Sequence, residues 1–276
     1  MNPFVLDPIL RRVLEEDIGT GDVTTLATIQ PGTQASAELV AKEDFVLSGI
    51  DVAKRVFHLL SVETAFEKLI EDGQSVKRGD VLAWIKGDAA VLLQGERVAL
   101  NLLQRMCGVA TLTAEFVKEI GGTGAIIVDT RKTTPGLRIL EKYSVRMGGG
   151  GNHRMALYDA VLIKENHVAA AGGITSAVSR ARQNVPHTQK VEVEVRNQVE
   201  VAEALDAGAD ILLLDNMSTE ELRAAVEMID GRAITEASGG VNLETVRDIA
   251  ETGVRLISVG ALTHSYRAVD ISMLFV

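Results

Sequence analysis

Two short apolar runs in this chain, Ile126–Val128 and Ala160–Ile163, end abruptly in groups that could do chemistry. Asp129-Thr130-Arg131-Lys132 follows the first, and Lys164-Glu165-Asn166-His167 follows the second. Between them four glycines, Gly148 to Gly151, lead straight into Asn152-His153-Arg154. From residue 126 to 167 there are seven Lys/Arg against four Asp/Glu, in a protein whose formal net charge is −10. A cationic cluster on an acidic chain suits a pocket for a small anion better than a basic face. Any one of these residues could be a solvated loop end. Arg131, Lys132, His153, Arg154 and Lys164 gathered at strand ends are harder to assign to solvent together.

The elements that must position them follow from the apolar pattern. After Gly121-Gly122, runs recur at Ala125–Val128, Ala160–Ile163, Val191–Val195, Ile211–Leu214, Ala233–Thr235 and Leu256–Val259. Helical periodicity lies between several of them, at Thr175–Asn184, Val199–Ala207, Thr219–Ile229 and Leu243–Thr252. Alternating strand and helix predicts a parallel α/β sheet, and about half a dozen units predict a small or incomplete β/α barrel. A Rossmann sheet is the alternative, but its G-x-G-x-x-G turn is missing. Parallel barrels bring every strand's C-terminal end to one rim. Six successive runs end in polar or glycine-rich residues there, so a site is the better reading.

The last two stations, Ser238-Gly239-Gly240 and Ser258-Val259-Gly260-Ala261, suit a phosphate. Glycine lets it approach backbone N–H groups, and a following helix start favours negative charge. Glu194 and Asp215 put carboxylates on middle strands, where they could orient ribose hydroxyls or hold Mg²⁺ carrying a diphosphate. Ion pairing with a neighbouring Lys or Arg is the plain alternative for each.

The N-terminal part has a different texture. Asp7–Asp17 reads as an amphipathic helix, and Thr33 to about Leu93 as short β runs such as Ala35–Ala41 and Val81–Ile85, broken by turns. Glu71 to Leu82 resembles a turn of lipoyl and biotinyl carrier domains, but Lys42 and Lys86, the nearest acceptor candidates, are not in the expected setting. Gln94–Ile120 predicts a long helix whose Arg97, Asn101 and Arg105 form one polar stripe. A solvated face and a reach toward an anion both fit that stripe.

Composition sets limits. Net charge −10 with 4% aromatics argues against nucleic acid. The lone cysteine, Cys107, cannot pair within the chain, fits a reducing cytoplasm, and is expected to be a buried apolar side chain rather than a nucleophile. No apolar run approaches the ~20 residues of a membrane helix.

Several longer motifs carry a resemblance. Glu96-Arg97-Val98-Ala99-Leu100-Asn101, Gln104 to Thr111, Asp129-Thr130-Arg131-Lys132-Thr133-Thr134-Pro135-Gly136, Asn152-His153-Arg154 and Lys164-Glu165-Asn166-His167 occur in that order. Glu192-Val193-Glu194-Val195, Leu214-Asp215-Asn216 and Glu236-Ala237-Ser238-Gly239-Gly240 follow. Together they resemble quinolinate phosphoribosyltransferase, also called nicotinate-nucleotide pyrophosphorylase (carboxylating), over nearly the whole chain. The resemblance implies an N-terminal α/β sandwich, residues 1–112 joined by the tail 265–276. An open β/α barrel of about six to seven strands, residues 113–264, would follow. It implies transfer of phosphoribose from phosphoribosyl pyrophosphate to quinolinate with loss of CO₂, using Mg²⁺, in a cytoplasmic homodimer or higher homo-oligomer without nucleic acid or membrane partners.

Quinolinate's two carboxylates would then be met by Arg131, Arg154 and, from the neighbouring subunit, Arg105, with His153 in support. Lys132 and Lys164 would meet substrate and sugar diphosphate. Glu194 and Asp215 would orient ribose and metal, and Ser238, Gly239, Gly240 and Gly260 would hold the 5′-phosphate. Three rivals stand beside this reading: a molybdenum-locus paralogue, nicotinate phosphoribosyltransferase, and a non-catalytic carrier.

Overall fold

A computed structural model describes all 276 residues. The chain divides into two compact units: Met1–Leu112 with Thr134–Gly149 and Tyr266–Val276, and Thr113–Thr133 with Gly150–Ser265. No helix is long and apolar enough to cross a membrane.

The first unit is built on strands β1 (Gln34–Ala41), β2 (Phe45–Val46), β3 (Ala65–Lys68), β4 (Ser75–Val76) and β5 (Val81–Asp88). Four strands make an antiparallel sheet, in which β5 lies between β1 and β3 and a distant strand from residues 271–275 pairs with the other side of β1. Alternation puts Ala37, Leu39 and Ala41 of β1 into the core. Helix Ile50–Leu60, in a stretch expected to be all β, brings Ile50, Ala53, Val56 and Phe57 to the same core. Its first N–H groups are held by Asp72, whose carboxylate accepts from Gly49 N at 2.9 Å and Ile50 N at 3.0 Å.

The long helix is Ala89–Glu119, beginning five residues earlier than expected. Gly108 on it is required by close approach, because a Cβ there would lie 2.3 Å from the Arg267 carbonyl oxygen. The tail is fixed further by Gln104, whose Nε2 donates to Ile271 O at 2.9 Å.

Residues 134–149, assigned above to the barrel, belong instead to this first unit. They form helix Arg138–Met147, which buries Leu140 in the first core. Ser48 Oγ donates to Ser144 Oγ at 3.0 Å, and Tyr143 Oη donates to Asp72 at 2.7 Å. Apolar and polar groups alike draw the segment out of the β/α sequence that surrounds it.

The second unit contains β6 (Ile126–Val128), β7 (Val161–Ile163), β8 (Val191–Val195), β9 (Ile211–Asp215), β10 (Ile234–Ser238) and β11 (Leu256–Ser258). The remaining strand, β12 (Ile271–Phe275), is the partner of β1. All six strands of the second unit are parallel, in the order β6-β11-β10-β9-β8-β7. Helices Ile174–Asn184, Gln198–Asp206 and Thr219–Ile229 connect them much as the periodicity predicts. The barrel is open because β6 does not meet β7. Gly151 pairs with Val128 in its place, donating from N to Ile127 O at 2.8 Å. Gly151 therefore occupies a sheet edge that a closing strand would need.

Candidate active site

Register in the parallel sheet sets the levels of the site. Glu194, Leu213 and Glu236 are neighbours across β8, β9 and β10, and two residues further on Asp215 stands beside Ser238, itself beside Ser258. Side chains two apart on a strand share a face, so these form stacked layers inside the sheet. They line a cavity of about 660 Å³ together with Thr130, Arg131, Lys132, His153, Arg154, Leu162, Lys164 and the Asn216 and Gly239-Gly240 turns.

Of the residues expected at a site, Arg131, Lys132, His153, Arg154, Lys164, Glu194, Asp215, Ser238, Gly239 and Gly240 all line this cavity. Gly260 does not. It leaves room for Lys132, whose Cδ would be 3.1 Å from a Cβ at that position. Thr263 Oγ1 donates to the Lys132 carbonyl at 2.8 Å, so this station fixes the lysine rather than lining the cavity. Arg105 belongs to the first unit. Its Nη2 donates to Thr134 Oγ1 at 3.0 Å and lies 3.8 Å from Glu141, and its guanidinium sits 5.2 Å from the centre of the Tyr266 ring.

The turn after β6 aims its cations by local hydrogen bonds. Lys132 N donates to Thr130 Oγ1 at 3.0 Å, and Thr133 N donates to the Arg131 carbonyl at 3.0 Å. Asp129, fully buried, ties down the neighbouring loop. It accepts from Asn152 Nδ2 at 2.6 Å and from His153 N at 2.9 Å. Arg154 Nη1 donates to Ala160 O at 3.0 Å. Burial and the nearby Arg131 charge lower the Arg154 pKa, but a guanidinium stays cationic at any physiological pH. Lys164 is ion-paired with Glu194. Its backbone N–H donates to His167 Nδ1 at 2.9 Å, which makes His167 a helix cap rather than a ligand group.

At the other side, Gly239 and Gly240 have φ of +99° and +62°. A Cβ on Gly239 would fall 2.2 Å from Asn216 Oδ1, so only glycine fits beside that asparagine. Asn216 itself is left-handed at φ 55°, held by its N–H to Ser238 O at 2.9 Å and by Nδ2 donating to Asp215 at 2.8 Å. The helix expected at Leu243–Thr252 shrinks to Val246–Ala250, six residues past Gly240. The glycine turn, not a helix start, lines the cavity there.

Sequence reasoning missed the floor. Glu192 and Glu236 are buried, and both approach His153 Nε2, at 3.2 and 3.5 Å. His153 Nδ1 accepts the Arg154 N–H at 2.7 Å, so the neutral ring carries its proton on Nε2. One N–H thus faces two carboxyls. Glu236 Oε1 has no hydrogen-bond partner. Burial above all, then the Glu192 charge, pushes the Glu236 carboxyl up to about 7. The signal was available: Glu192 and Glu236 stand two residues before Glu194 and Ser238 on strands whose inward face was already marked.

The remaining candidates resolve simply. Cys107 is fully buried beside Ser48, and burial pushes its thiol well above the usual range, which suits packing and not nucleophilic attack. Lys86 lies mid-strand, opposite Ser36 and Ala65, and not at a hairpin tip where a carrier lysine would be modified.

Residues 22–107 match the family described as quinolinate phosphoribosyl transferase, N-terminal domain, and residues 109–274 match its C-terminal domain. A Bacillus subtilis protein named probable nicotinate-nucleotide pyrophosphorylase [carboxylating] is 45% identical over 99% of this chain and 94% of its own length. A Nicotiana tabacum protein named quinolinate phosphoribosyltransferase [decarboxylating] 2b, mitochondrial, is 42% identical over 98% of this chain and 82% of its own. Among solved structures, NadC from Streptococcus pyogenes superposes with a TM-score of 0.96 at 40% identity, covering 100% of this chain and 99% of that one. The nicotinate-nucleotide pyrophosphorylase from Francisella tularensis gives 0.95 at 39% identity, covering 100% and 98%.

Proposed function

Since the chain belongs to the quinolinate phosphoribosyltransferase family, we propose that it transfers phosphoribose from phosphoribosyl pyrophosphate to the ring nitrogen of quinolinate. Pyrophosphate and CO₂ leave, and nicotinate mononucleotide enters NAD biosynthesis. The observation that carries the reading is the cavity, where Arg131, Lys132, Arg154 and Lys164 converge opposite the Gly239-Gly240 turn. Two substrates bearing carboxylates and phosphates need that excess of fixed cations.

Arginine forks suit carboxylates, so Arg131 and Arg154 take the quinolinate carboxylates, supported by His153. Lys132 and Lys164 act as point charges toward the substrate and the diphosphate. Ser238 and the N–H groups of Gly239 and Gly240 take the 5′-phosphate. Glu194 and Asp215 orient the ribose hydroxyls. The same two carboxylates, on neighbouring strands at the cavity, are the hard oxygen donors a magnesium ion uses. Bound there, Mg²⁺ would neutralise charge on the departing pyrophosphate. Once ribosylated, the cationic ring nitrogen stabilises the electron pair that CO₂ leaves on C2, so no further organic cofactor is needed. Positioning and electrostatics are the enzyme's contribution.

The working assembly in this reading is a homodimer or larger homo-oligomer in which Arg105 serves the partner's cavity. A reducing cytoplasm suits the lone buried thiol, while some plant relatives carry organellar names. Release of labelled CO₂ from quinolinate, requiring both phosphoribosyl pyrophosphate and Mg²⁺ and matched by nicotinate mononucleotide, tests the reaction. A folded protein that releases none would refute it. Mixing Arg105→Ala with Lys132→Ala protein tests the assembly, since hybrid dimers should regain activity. No recovery despite proven subunit exchange would assign Arg105 to its own subunit.

A further inference from the structure

The cations of the cavity account for holding anions, but the reaction makes one demand they do not meet. When the C2 carboxylate departs as CO₂, its bonding pair stays on C2, and that carbon must gain a proton. Arginine does not release protons at neutral pH. A lysine that gave up its proton would cease to hold its anion in the same step.

We propose that Glu236 is the proton donor: its carboxylic acid, at the floor of the cavity, delivers hydrogen to C2 as CO₂ leaves. This rests on the phosphoribosyltransferase reading above. Glu236 lines the cavity yet is only 1% exposed. It stands one inward-facing position below Ser238, beside the apolar Leu213. The floor cannot carry all its charges. His153 Nε2 offers one hydrogen to two carboxyls, the nearer being Glu192 at 3.2 Å, and Glu236 Oε1, 3.5 Å away, is left buried without a hydrogen bond. A carboxylate so placed is costly, and a carboxylic acid is not.

The groups around it set the balance. Burial and Glu192 of β8 raise the Glu236 pKa most. His153 and the Ser258 hydroxyl of β11 lower it, and Asp129 beyond β6 raises it again. The result, about 7, matches an acid that must be protonated before the step and reprotonated after it.

In the step, the C2–carboxylate bond breaks and its electron pair remains on C2, stabilised by the ribosylated ring nitrogen. The Glu236 O–H bond breaks as the new C2–H bond forms. Glu236 is left as a carboxylate, and water restores its proton when product departs. No oxidant or reductant is involved.

A single-turnover measurement following pyrophosphate and CO₂ separately tests the assignment. In Glu236→Gln, pyrophosphate should appear at close to the wild-type rate, while CO₂ release slows on the order of a hundredfold or more, the worth of a general acid. Glu236→Asp, which keeps an acid group, should recover part of that loss. Should the Gln variant fail to fold, the wild-type enzyme supplies the same contrast. Its CO₂ release should fall as pH rises through about 7, with first-turnover pyrophosphate unaffected by that titration. Parallel loss of both products, or no loss of either, would overturn the assignment. Wild-type enzyme that makes neither product from quinolinate would overturn the underlying reaction instead.

Discussion

The cavity has two levels that treat charge in opposite ways. At the mouth, Arg131, Lys132 and Lys164 are exposed on turns and helix starts. Water reaches all three, and Lys164 is ion-paired with Glu194 besides, so each can stay charged at the protein surface. At the floor, Glu192 and Glu236 are shut from water, and His153 alone stands between them. There a charge must be paired or neutralised within the protein. The mouth is built to bind, and the floor is built to hold a proton.

The largest expected effect at the mouth is that of Lys132→Ala. Turnover should fall about a hundredfold or more, with circular dichroism and melting temperature unchanged. Normal turnover in a folded variant would return Lys132 to solvent and erase the distinction. Asp129→Ala should blur the two levels, because Asn152 and the His153 N–H lose their acceptor. Urea unfolding should show a loss of about 2–4 kcal/mol, and activity should fall with it. If stability holds, the buried carboxylate is not the anchor of that loop.

Glu236→Gln sharpens the comparison through stability. The folded pKa of Glu236 is raised from 4.5 to about 7. Its neutral form therefore supports the fold fully below about pH 4.5, and that support is lost as pH rises through about 7. The Gln variant should gain on wild type between pH 5 and 8, by up to about 3 kcal/mol. Urea midpoints of the two proteins that move in parallel across that range would mean the floor tolerates an ionised Glu236. The smallest effect belongs to Cys107→Ala, which should keep activity within about twofold and lose about 1 kcal/mol. A large drop in turnover there would point to a chemical role for the thiol.

The mouth was legible in the sequence because its residues interrupt apolar runs: a lysine or arginine at the end of Ile126–Val128 or Val161–Ile163 has no packing reason to be there. The floor was not, because Glu192 and Glu236 sit inside their strands, where a lone acidic letter looks like ordinary alternation. Only His153, brought in by a loop from elsewhere in the chain, makes them a group. The parallel strands and three of their connecting helices followed from periodicity, and Thr219–Ile229 matches residue for residue. Helix Ile50–Leu60 was hidden in a turn-rich region, although Ile50, Ala53 and Phe57 keep helical spacing. Residues 134–149 could not be placed from local pattern at all, since long-range partners such as Ser48 and Asp72 decide where they pack.

The first unit is discontinuous, and that has a consequence for how the protein is made. Its sheet needs β12 against β1, and its core needs Leu140. Both are translated after most of that unit, and β12 after every strand of the second. During synthesis the second unit can therefore close around its own contiguous strands while β1 still offers an unpaired edge. An uncovered edge is where two nascent chains would pair with one another. The stage of greatest risk for this protein falls late on the ribosome, when its amino-terminal sheet waits for a strand not yet made.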